Sequence, residues 1–214
     1  CLAGRQAAGL AGKTVYFFKF YNGLEYALTS VGLYYFDTAT NTFTAVAGTP
    51  VIPLYHAVNH RGYLFLAGSS ANDLRRFDGT NFTTPAGLEK CNFVAEVEGL
   101  LFAVEPVSVV PYLINVKYST DLGVTWTTAL TKPVVGGATG LPSPGYDPRG
   151  VATPPIEQDG RAYLYVSTVD AVYKLDYQTG QYFMVFDMRN ATNSGNGVAL
   201  HYWPSTNKLY VNQR

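Results

Sequence analysis

Short apolar runs separated by turn-forming residues extend along most of this chain. Residues 63–66 read Tyr-Leu-Phe-Leu, and residues 163–166 read Tyr-Leu-Tyr-Val. No window sustains the 3.6-residue apolar period of an amphipathic helix. Runs of β-branched and aromatic residues bounded by Gly, Asn or Asp are typical of strands. The pattern predicts an all-β chain with almost no helix.

A strand that closes on an aromatic or aliphatic residue followed by a polar one recurs along the chain. The four pairs are Phe36-Asp37, Phe77-Asp78, Tyr118-Ser119 and Leu175-Asp176. The first two intervals are 41 residues each and the third is 57. The additional length lies in the Gly- and Pro-rich segment 131–155, for which we predict an inserted loop.

Turn chemistry follows these pairs. Asp78 is followed by Gly-Thr-Asn, and Asp176 by Tyr-Gln-Thr-Gly. An Asp side chain accepts hydrogen bonds from backbone N–H groups two residues on, and Gly or Asn adopts positive φ at low cost. Each unit is therefore predicted to be a set of consecutive antiparallel hairpins.

A unit of about 40 residues with four strands is the spacing of a β-propeller blade, whose faces are buried against neighbouring blades. We predict an N-terminal linker over 1–13 and, over 14–214, blades at 14–46, 54–84, 92–128 and 150–186 with a partial fifth at 197–214. A β-sandwich is the structural alternative, but it would not repeat. Because the fifth blade lacks two outer strands, we expect either that residues 15–20 close the ring or that the chain is a fragment of a larger propeller.

One hairpin carries a specific motif. Ser119, Asp121, Gly123, Thr125 and Trp126 match the Asp-box pattern Ser-x-Asp-x-Gly-x-Thr-Trp at every fixed position. The chain therefore resembles propellers with Asp-box (BNR-like) repeats, such as sialidases. The resemblance implies that the Asp caps a hairpin turn and the Trp packs between sheets, which is a structural role.

The other features of a sialidase are missing from the sequence. Its arginines do not form the triad pattern of that family, and the Arg-Ile-Pro motif is absent. Phosphate-binding glycine loops, His-Glu-x-x-His and Gly-x-Ser-x-Gly are absent as well. No catalytic residue is predicted, and a non-enzymatic role is favoured.

Two further resemblances are softer. The phrase Gly195-Asn196-Gly197-Val198-Ala199-Leu200, followed by Leu209-Tyr210-Val211, is similar to NHL-type and lactonase-type propellers. That resemblance implies a calcium ligand at Asn196, although the other ligands of the family have no match. Residues 54–128 resemble the propellers of tail-nozzle proteins in short-tailed bacteriophages, which are much longer chains.

Two histidines occupy similar places in their units. His56 and His201 each lie six residues before the turn residue of their blade, Gly62 and Asn207. We therefore expect both to occupy one inner-strand position and to face the central channel. The same count places Phe17, Phe93 and Pro154 at that position in the other blades, so channel-lining histidines are favoured over a metal site.

Charge excludes some partners. The chain has 15 basic and 15 acidic residues, a net charge of +0 and no Lys/Arg run. This balance excludes the electrostatic signature of nucleic-acid binding. No apolar stretch approaches the roughly 18 residues of a membrane span. Charged and aromatic residues each make up 14% of the chain, and 17 residues are Tyr.

The two cysteines leave alternatives open. Cys1 resembles the lipidated first residue of a bacterial lipoprotein, or it is an arbitrary boundary of the sequence. Cys1 and Cys91 could form at most one disulfide, and their spacing does not decide whether they pair.

Three functions are consistent with these observations. The first is a structural or protein-interaction module of an extracellular, cell-surface or virion assembly, because low charge, many Tyr residues and an incomplete blade favour contacts with other protein chains. The second is a carbohydrate-binding propeller, in which Trp126, Tyr202 and Trp203 stack on sugars. The third is a calcium-dependent lactonase or hydrolase.

Overall fold

The computed structural model describes residues 8–68, 74–88, 91–107, 113–129, 141–142, 150–154, 156–157, 159–168, 171–187 and 198–213. All regular elements in these ranges are β-strands. The same ranges contain no helix long and apolar enough to cross a membrane. The predicted all-β class is confirmed.

Most strands form antiparallel sheets of four. Sheet one contains β1 (Val15–Tyr21), β2 (Leu24–Thr29), β3 (Gly32–Asp37) and β4 (Thr42–Ala45). Sheet two contains β5 (Leu54–His60), β6 (Tyr63–Gly68), β7 (Arg75–Phe77) and β8 (Phe82–Thr83). In both sheets the spatial order of the strands is their order along the chain.

Sheet three contains β9 (Phe93–Val97), β10 (Leu100–Val107), β11 (Leu113–Ser119), β12 (Thr127–Thr128) and a short extra strand, β13 (Leu141–Pro142). Its outer edge is divided between the two short strands. β12 pairs with Lys117 and Tyr118 of β11, whereas β13 pairs with Leu113 and Ile114. The predicted insertion 131–155 therefore contributes a strand to the sheet from which it emerges.

Sheet four contains β14 (Gly150–Ala152), β15 (Leu164–Ser167), β16 (Ala171–Asp176) and β17 (Gln181–Asp187). A hairpin of β18 (Val198–Trp203) and β19 (Lys208–Gln213) follows. The first strands of successive units contact one another, β1 with β5, β5 with β9, β9 with β14 and β14 with β18. The sheets therefore stack around their first strands in a propeller-like arrangement.

The second strand of an inner sheet buries its side chains in two directions. In β6, Leu64 and Leu66 pack into an apolar cluster with sheet one, while Phe65 and Ala67 pack into a cluster with sheet three. All four side chains are 0% exposed. Because side chains alternate across a strand, a strand covered on both faces must be apolar at every position. This requirement explains the continuous apolar runs of the sequence.

Tight turns join the first and second strands of sheets one to three. The central residues are Asn22-Gly23, Arg61-Gly62 and Glu98-Gly99, and all six have positive φ, as type I′ turns require. The turns also connect neighbouring sheets. The Tyr21 hydroxyl donates to the Gly62 carbonyl at 2.8 Å, and the Arg61 guanidinium donates to the Gly99 carbonyl at 3.0 Å.

Residues 8–13, the described part of the predicted linker, pack on sheet one. The Ala8 carbonyl accepts a hydrogen bond from the Phe43 N–H at 2.8 Å, and Leu10 is buried against Ala27 and Phe36. The linker prediction is corrected for this segment, because an apolar Leu10 side chain gains by covering the outer face of the sheet. Gly9 fits there only as glycine, since a Cβ would lie 1.9 Å from the Phe43 carbonyl oxygen.

Of the two cysteines, Cys91 lies within the described residues. Cys1 lies outside the described residues, so neither its pairing nor a lipid anchor is tested. Cys91 is buried between sheets two and three, and its Sγ donates to the Phe93 carbonyl at 3.3 Å.

Phe77 is the anchor of the contact between sheets one and two. It is 1% exposed and stacks on Phe82 with 4.6 Å between the ring centres, and the rings of Tyr21 and Tyr26 lie 6.1 and 6.0 Å away. We expect Phe77→Ala to lower the free energy of unfolding by about 3–5 kcal/mol, because the side chain leaves a cavity between packed sheets. Urea denaturation followed by circular dichroism measures this loss.

Phe183→Ala is the matched control, since Phe183 is 52% exposed in β17. It removes the same atoms and should cost less than about 1 kcal/mol. Equal losses in the two variants would contradict the two-sided packing described above.

Candidate functional site

The first strands line an axial cavity of about 320 Å³. Its described lining residues are Tyr16, Phe17, Tyr55, His56, Phe93, Gly150, Val151 and Leu200, which come from all five first strands. Phe17, His56 and Phe93 each lie four residues before the last residue of their strand. They pair with Leu28, Ala67 and Val104, the fifth residues of the second strands.

Among the described lining residues, His56 carries an imidazole, and Tyr16 and Tyr55 carry hydroxyls. The His56 ring lies 4.6 Å from the ring of Phe17 and 5.5 Å from that of Phe93. Its Nδ1 is buried and has no hydrogen-bond partner among the described residues. Burial, with a smaller contribution from the positive charge of Lys19, lowers the pKa of His56 to about 4. The imidazole is therefore neutral at pH 7.

A second cavity of about 160 Å³ shares Phe17, His56 and Val151 with the first and adds Lys19 and Glu96. Burial lowers the pKa of Lys19. Glu96 accepts a hydrogen bond from the Gly99 N–H at 2.6 Å, so its carboxylate also holds the adjoining turn. The axial region therefore combines apolar surface with the His56 imidazole, two Tyr side chains and the Lys19 and Glu96 side chains.

The structure does not place His201 at the position of His56, and this prediction is corrected. The β5–β6 turn has two residues between the paired His60 and Tyr63, whereas the β18–β19 turn has four between Trp203 and Lys208. Counting back from the turn residue therefore displaces His201 by two positions along its strand. His201 is exposed and contacts the Trp203 ring at 5.4 Å.

The predicted equivalence of Pro154 is also corrected. Gly150 pairs with Ser167 and lines the axial cavity, so it holds the position of His56 in sheet four. Pro154 lies in a different cleft. The turn between β14 and β15 is longer than two residues, and this length again shifts the count.

The Ser119–Trp126 turn is closed by its own side chains. Asp121 accepts hydrogen bonds from the Thr125 N–H at 2.8 Å and from the hydroxyls of Thr125 and Ser119 at 2.7 Å each. These bonds lower the pKa of Asp121 to about 2. Trp126 donates from Nε1 to the Gly123 carbonyl at 3.1 Å and packs against the cluster between sheets two and three.

A larger cleft of about 570 Å³ opens between sheet four and the β18–β19 hairpin. The described residues that line it are Pro154, Ile156, Glu157, Asp159, Tyr165, Tyr202, Asn207 and Leu209. We call this space the hairpin cleft. Tyr202 donates to Asn207 Oδ1 at 2.8 Å, which fixes the two polar groups of the hairpin wall.

Both carboxylates of the hairpin cleft accept hydrogen bonds from neighbouring side chains. Glu157 accepts from the Tyr165 hydroxyl and from Lys174 Nζ, each at 2.5 Å. Asp159 accepts from the Tyr163 hydroxyl, and this bond lowers the pKa of Asp159 and raises that of Tyr163 to about 12. Lys174 Nζ also lies 3.6 Å from the centre of the Tyr163 ring.

The aromatic candidates lie in three different environments. Tyr202 is half-buried and lines the hairpin cleft. Trp203 follows it on the other face of the hairpin and is 51% exposed. Trp126 lies in another part of the molecule, so the three rings do not form one surface.

The calcium prediction stays untested. Asn196 lies outside the described residues. Within the described ranges, no three His, Cys, Asp or Glu side chains are grouped so that they could hold a metal ion.

The acid–tyrosine pairs were missed in the sequence, although a signal exists. Glu157 bonds Tyr165 and Asp159 bonds Tyr163, so the two pairs are symmetrical about Arg161. Such symmetry marks residues that face each other across a chain reversal. The symmetric spacing identifies the two acid–tyrosine contacts. The opposite wall of the cleft, formed by the β18–β19 hairpin, is seen only in the structure.

The shifted pKa of His56 predicts how stability depends on pH. An unfolded His titrates near 6.5, so between pH 6.5 and about 4 the unfolded state binds more protons and stability falls on acidification. We expect His56→Phe, which copies Phe17 and Phe93, to remove at most about 3 kcal/mol of this loss. Denaturant unfolding at several pH values measures it.

His201→Phe is the control, because it makes the same replacement at an exposed histidine that does not line the axial cavity. A remaining slope is expected in His56→Phe, since burial and the charge of Arg61 also lower the pKa of His60. A profile identical to that of the wild type would show that His56 does not contribute.

Comparison with known proteins identifies the fold. No family model and no curated protein matches the chain. A similar solved structure is the extracellular domain of BT4673, assigned to a hybrid two component system, from B. thetaiotaomicron, with TM-score 0.63 and 12% identity over 94% of this chain and 26% of that one.

Two other solved structures are similar. The computationally designed Ika8 protein has TM-score 0.52 and 10% identity over 88% of this chain and 52% of its own. A chain of the Mitotic Checkpoint Complex has TM-score 0.59 and 13% identity over 91% of this chain and 56% of its own. The chain thus spans between 26% and 56% of the length of these structures. At such low identity they show the propeller-like all-β fold alone.

Proposed function

We propose that this chain is a non-enzymatic structural and protein-interaction module of an extracellular, cell-surface or virion assembly. The observation that carries the proposal is the outward side of the β18–β19 hairpin. His201, Trp203 and Tyr210 lie on this side, which we call the open hairpin face. All three are exposed, Trp203 at 51% and Tyr210 at 48%.

The same register positions are buried in the inner sheets. Tyr210 corresponds to Phe65 and Phe102, the third residues of β6 and β10 counted from the turn, and both are 0% exposed. Phe65 packs on sheet three and Phe102 on sheet four. The open hairpin face therefore has the chemistry of a surface that receives another sheet.

The energetics favour covering this face. A Trp and a Tyr each bury about 150–250 Å² when fully covered, so covering their exposed halves contributes on the order of 5 kcal/mol before the cost of association. Among the described residues β19 pairs only with β18, so its outer edge can accept a strand. The expected partner is an apolar β-structured segment of another protein chain.

We propose that the module belongs to an extracellular or virion assembly. The extracellular placement is supported by the similarity to the BT4673 domain, and the virion placement by the resemblance of residues 54–128 to tail-nozzle propellers. The Ser119–Trp126 turn fits the proposal as an Asp-box-type structural element, since its side chains bond within the turn.

Photocrosslinking tests the open hairpin face in the native assembly. We expect a photoreactive phenylalanine analogue in place of Tyr210 to crosslink to another protein chain, because a partner segment covers that ring. The same analogue at Val51, which is 82% exposed and lies between β4 and β5, is the control. Mass spectrometry of the crosslinked peptides identifies the chain and residues.

A second readout uses the isolated chain. Trp203→Ser with Tyr210→Ser should reduce the binding of a dye specific for exposed apolar surface, whereas Val51→Ser should not.

Crosslinking that is equal at 210 and 51, or absent at both, would contradict the proposal.

A further inference from the structure

The hairpin cleft interrupts the stacking of the sheets. Leu64, Leu101 and Leu164 occupy one register position in sheets two, three and four, where each is 0% exposed against the preceding sheet. Leu209 holds this position in the hairpin but is only half-buried. The contact between sheet four and the hairpin is therefore closed near Val172, Leu200 and Val211 and open at Leu209.

From this cleft we infer a second site, which binds a neutral, hydroxyl-rich ligand of the saccharide class. The volume of about 570 Å³ lies within the 300–1,000 Å³ range of small-molecule sites. The cleft lies between two structural units, a common position for such sites. The inference concerns the inward side of the hairpin and is independent of the open hairpin face.

The polar groups of the hairpin cleft are mostly acceptors. Glu157 and Asp159 lie on one wall, and Asn207 offers an amide on the other. Each carboxylate oxygen accepts about two hydrogen bonds, so Glu157 keeps capacity after bonding Tyr165 and Lys174. Adjacent sugar hydroxyls are donors with the spacing to use such acceptors.

These acceptors are held in place before a ligand arrives. Glu157 is oriented by Tyr165 and Lys174, and Asp159 by Tyr163 and by the Arg161 N–H at 3.1 Å. Groups fixed by a supporting shell lose little entropy on binding. The arrangement therefore favours directional hydrogen bonds over loose ionic attraction.

The balance of charge favours a neutral ligand. Glu157 is paired with Lys174, and the positive charges of Lys174 and Arg161 act on Asp159. Arg161 is itself paired with Asp176 at 2.6 Å. A cationic ligand would have to compete with Lys174 for Glu157, whereas a hydroxyl can share the same carboxylate.

The apolar part of the lining fits the carbon face of a sugar ring. Tyr165 and Tyr202 supply aromatic surface on opposite walls, and Ile156, 60% exposed, supplies aliphatic surface. Aromatic rings bury large areas at a small entropic cost because they have two side-chain torsions. Of the three aromatic residues predicted to contact sugars, Tyr202 is the one in this cleft.

A printed array of neutral, acidic and amine-bearing glycans, probed with the full chain, tests the inference. We expect retention of one or more neutral glycans, and isothermal titration with the strongest of them measures its Kd. Because exposed ionic contacts are screened by salt and hydrogen bonds to neutral groups are not, that Kd should change little between about 0.05 and 0.5 M NaCl.

Three variants locate the binding. Tyr202→Ser removes the aromatic wall, Glu157→Gln removes the carboxylate, and Asn207→Gly removes the amide while tolerating the φ of 52°. Each should weaken binding of the neutral glycan by roughly tenfold or more. The thermal stability of Glu157→Gln is measured as well, because Lys174 loses its charged partner in that variant.

Trp203→Ser is the matched control, since Trp203 adjoins Tyr202 in β18 but lies on the open hairpin face. It should leave glycan binding unchanged, just as Tyr202→Ser should leave crosslinking at 210 unchanged. The proposal for the open hairpin face and the inference for the hairpin cleft can therefore be contradicted independently.

Three results would overturn the inference. One is an array on which no neutral glycan is retained. Another is binding restricted to amine-bearing ligands and lost at high salt, which would make the carboxylates a cation site. The third is full binding by Tyr202→Ser and Asn207→Gly.

Discussion

Burial of every inner sheet on both faces is the constraint on which this structure depends. A four-stranded sheet that is covered on one side only leaves half of its apolar side chains in water. Leu66 and Phe65 are neighbours in sequence, yet one packs on sheet one and the other on sheet three. An inner sheet therefore buries all of its apolar side chains only between two others, and the exposed residues differ where a sheet has a neighbour on one side only.

Burial on both faces does not extend to the two ends of the described stack, and the two ends differ. On sheet one, Glu25 holds the position of the buried Leu64, and Leu10 covers part of the outer face. On the hairpin, aromatic rings stay in the register of buried ones and remain open to solvent. The first end is partly closed by the chain itself, while the second keeps the character of an inner face.

The sequence contains enough information for the number and type of sheets, because repeat length, alternation and turn chemistry are local properties. The bonds of Asp78 to the N–H groups of Thr80 and Asn81 are of this kind. The position of His201 depends on the length of the β18–β19 turn, which a sequence count cannot supply. The hairpin cleft exists because Leu209 does not pack closely on sheet four, and packing between units cannot be predicted from local sequence. The spacing of the acid–tyrosine pairs is the part of the cleft that the sequence could have predicted.

The divided edge of sheet three bears on how this fold could accept new sequence. Thr128 and Leu141 are both anchored on β11, so the chain leaves and rejoins the same strand. The entropy of closing a loop between fixed, neighbouring ends rises only slowly with its length, by about 0.6 kcal/mol per doubling. Segments of other lengths, even whole folded modules, could therefore be accommodated between Ala129 and Leu141 at little cost to the sheets, which makes this edge a natural point for domain insertion.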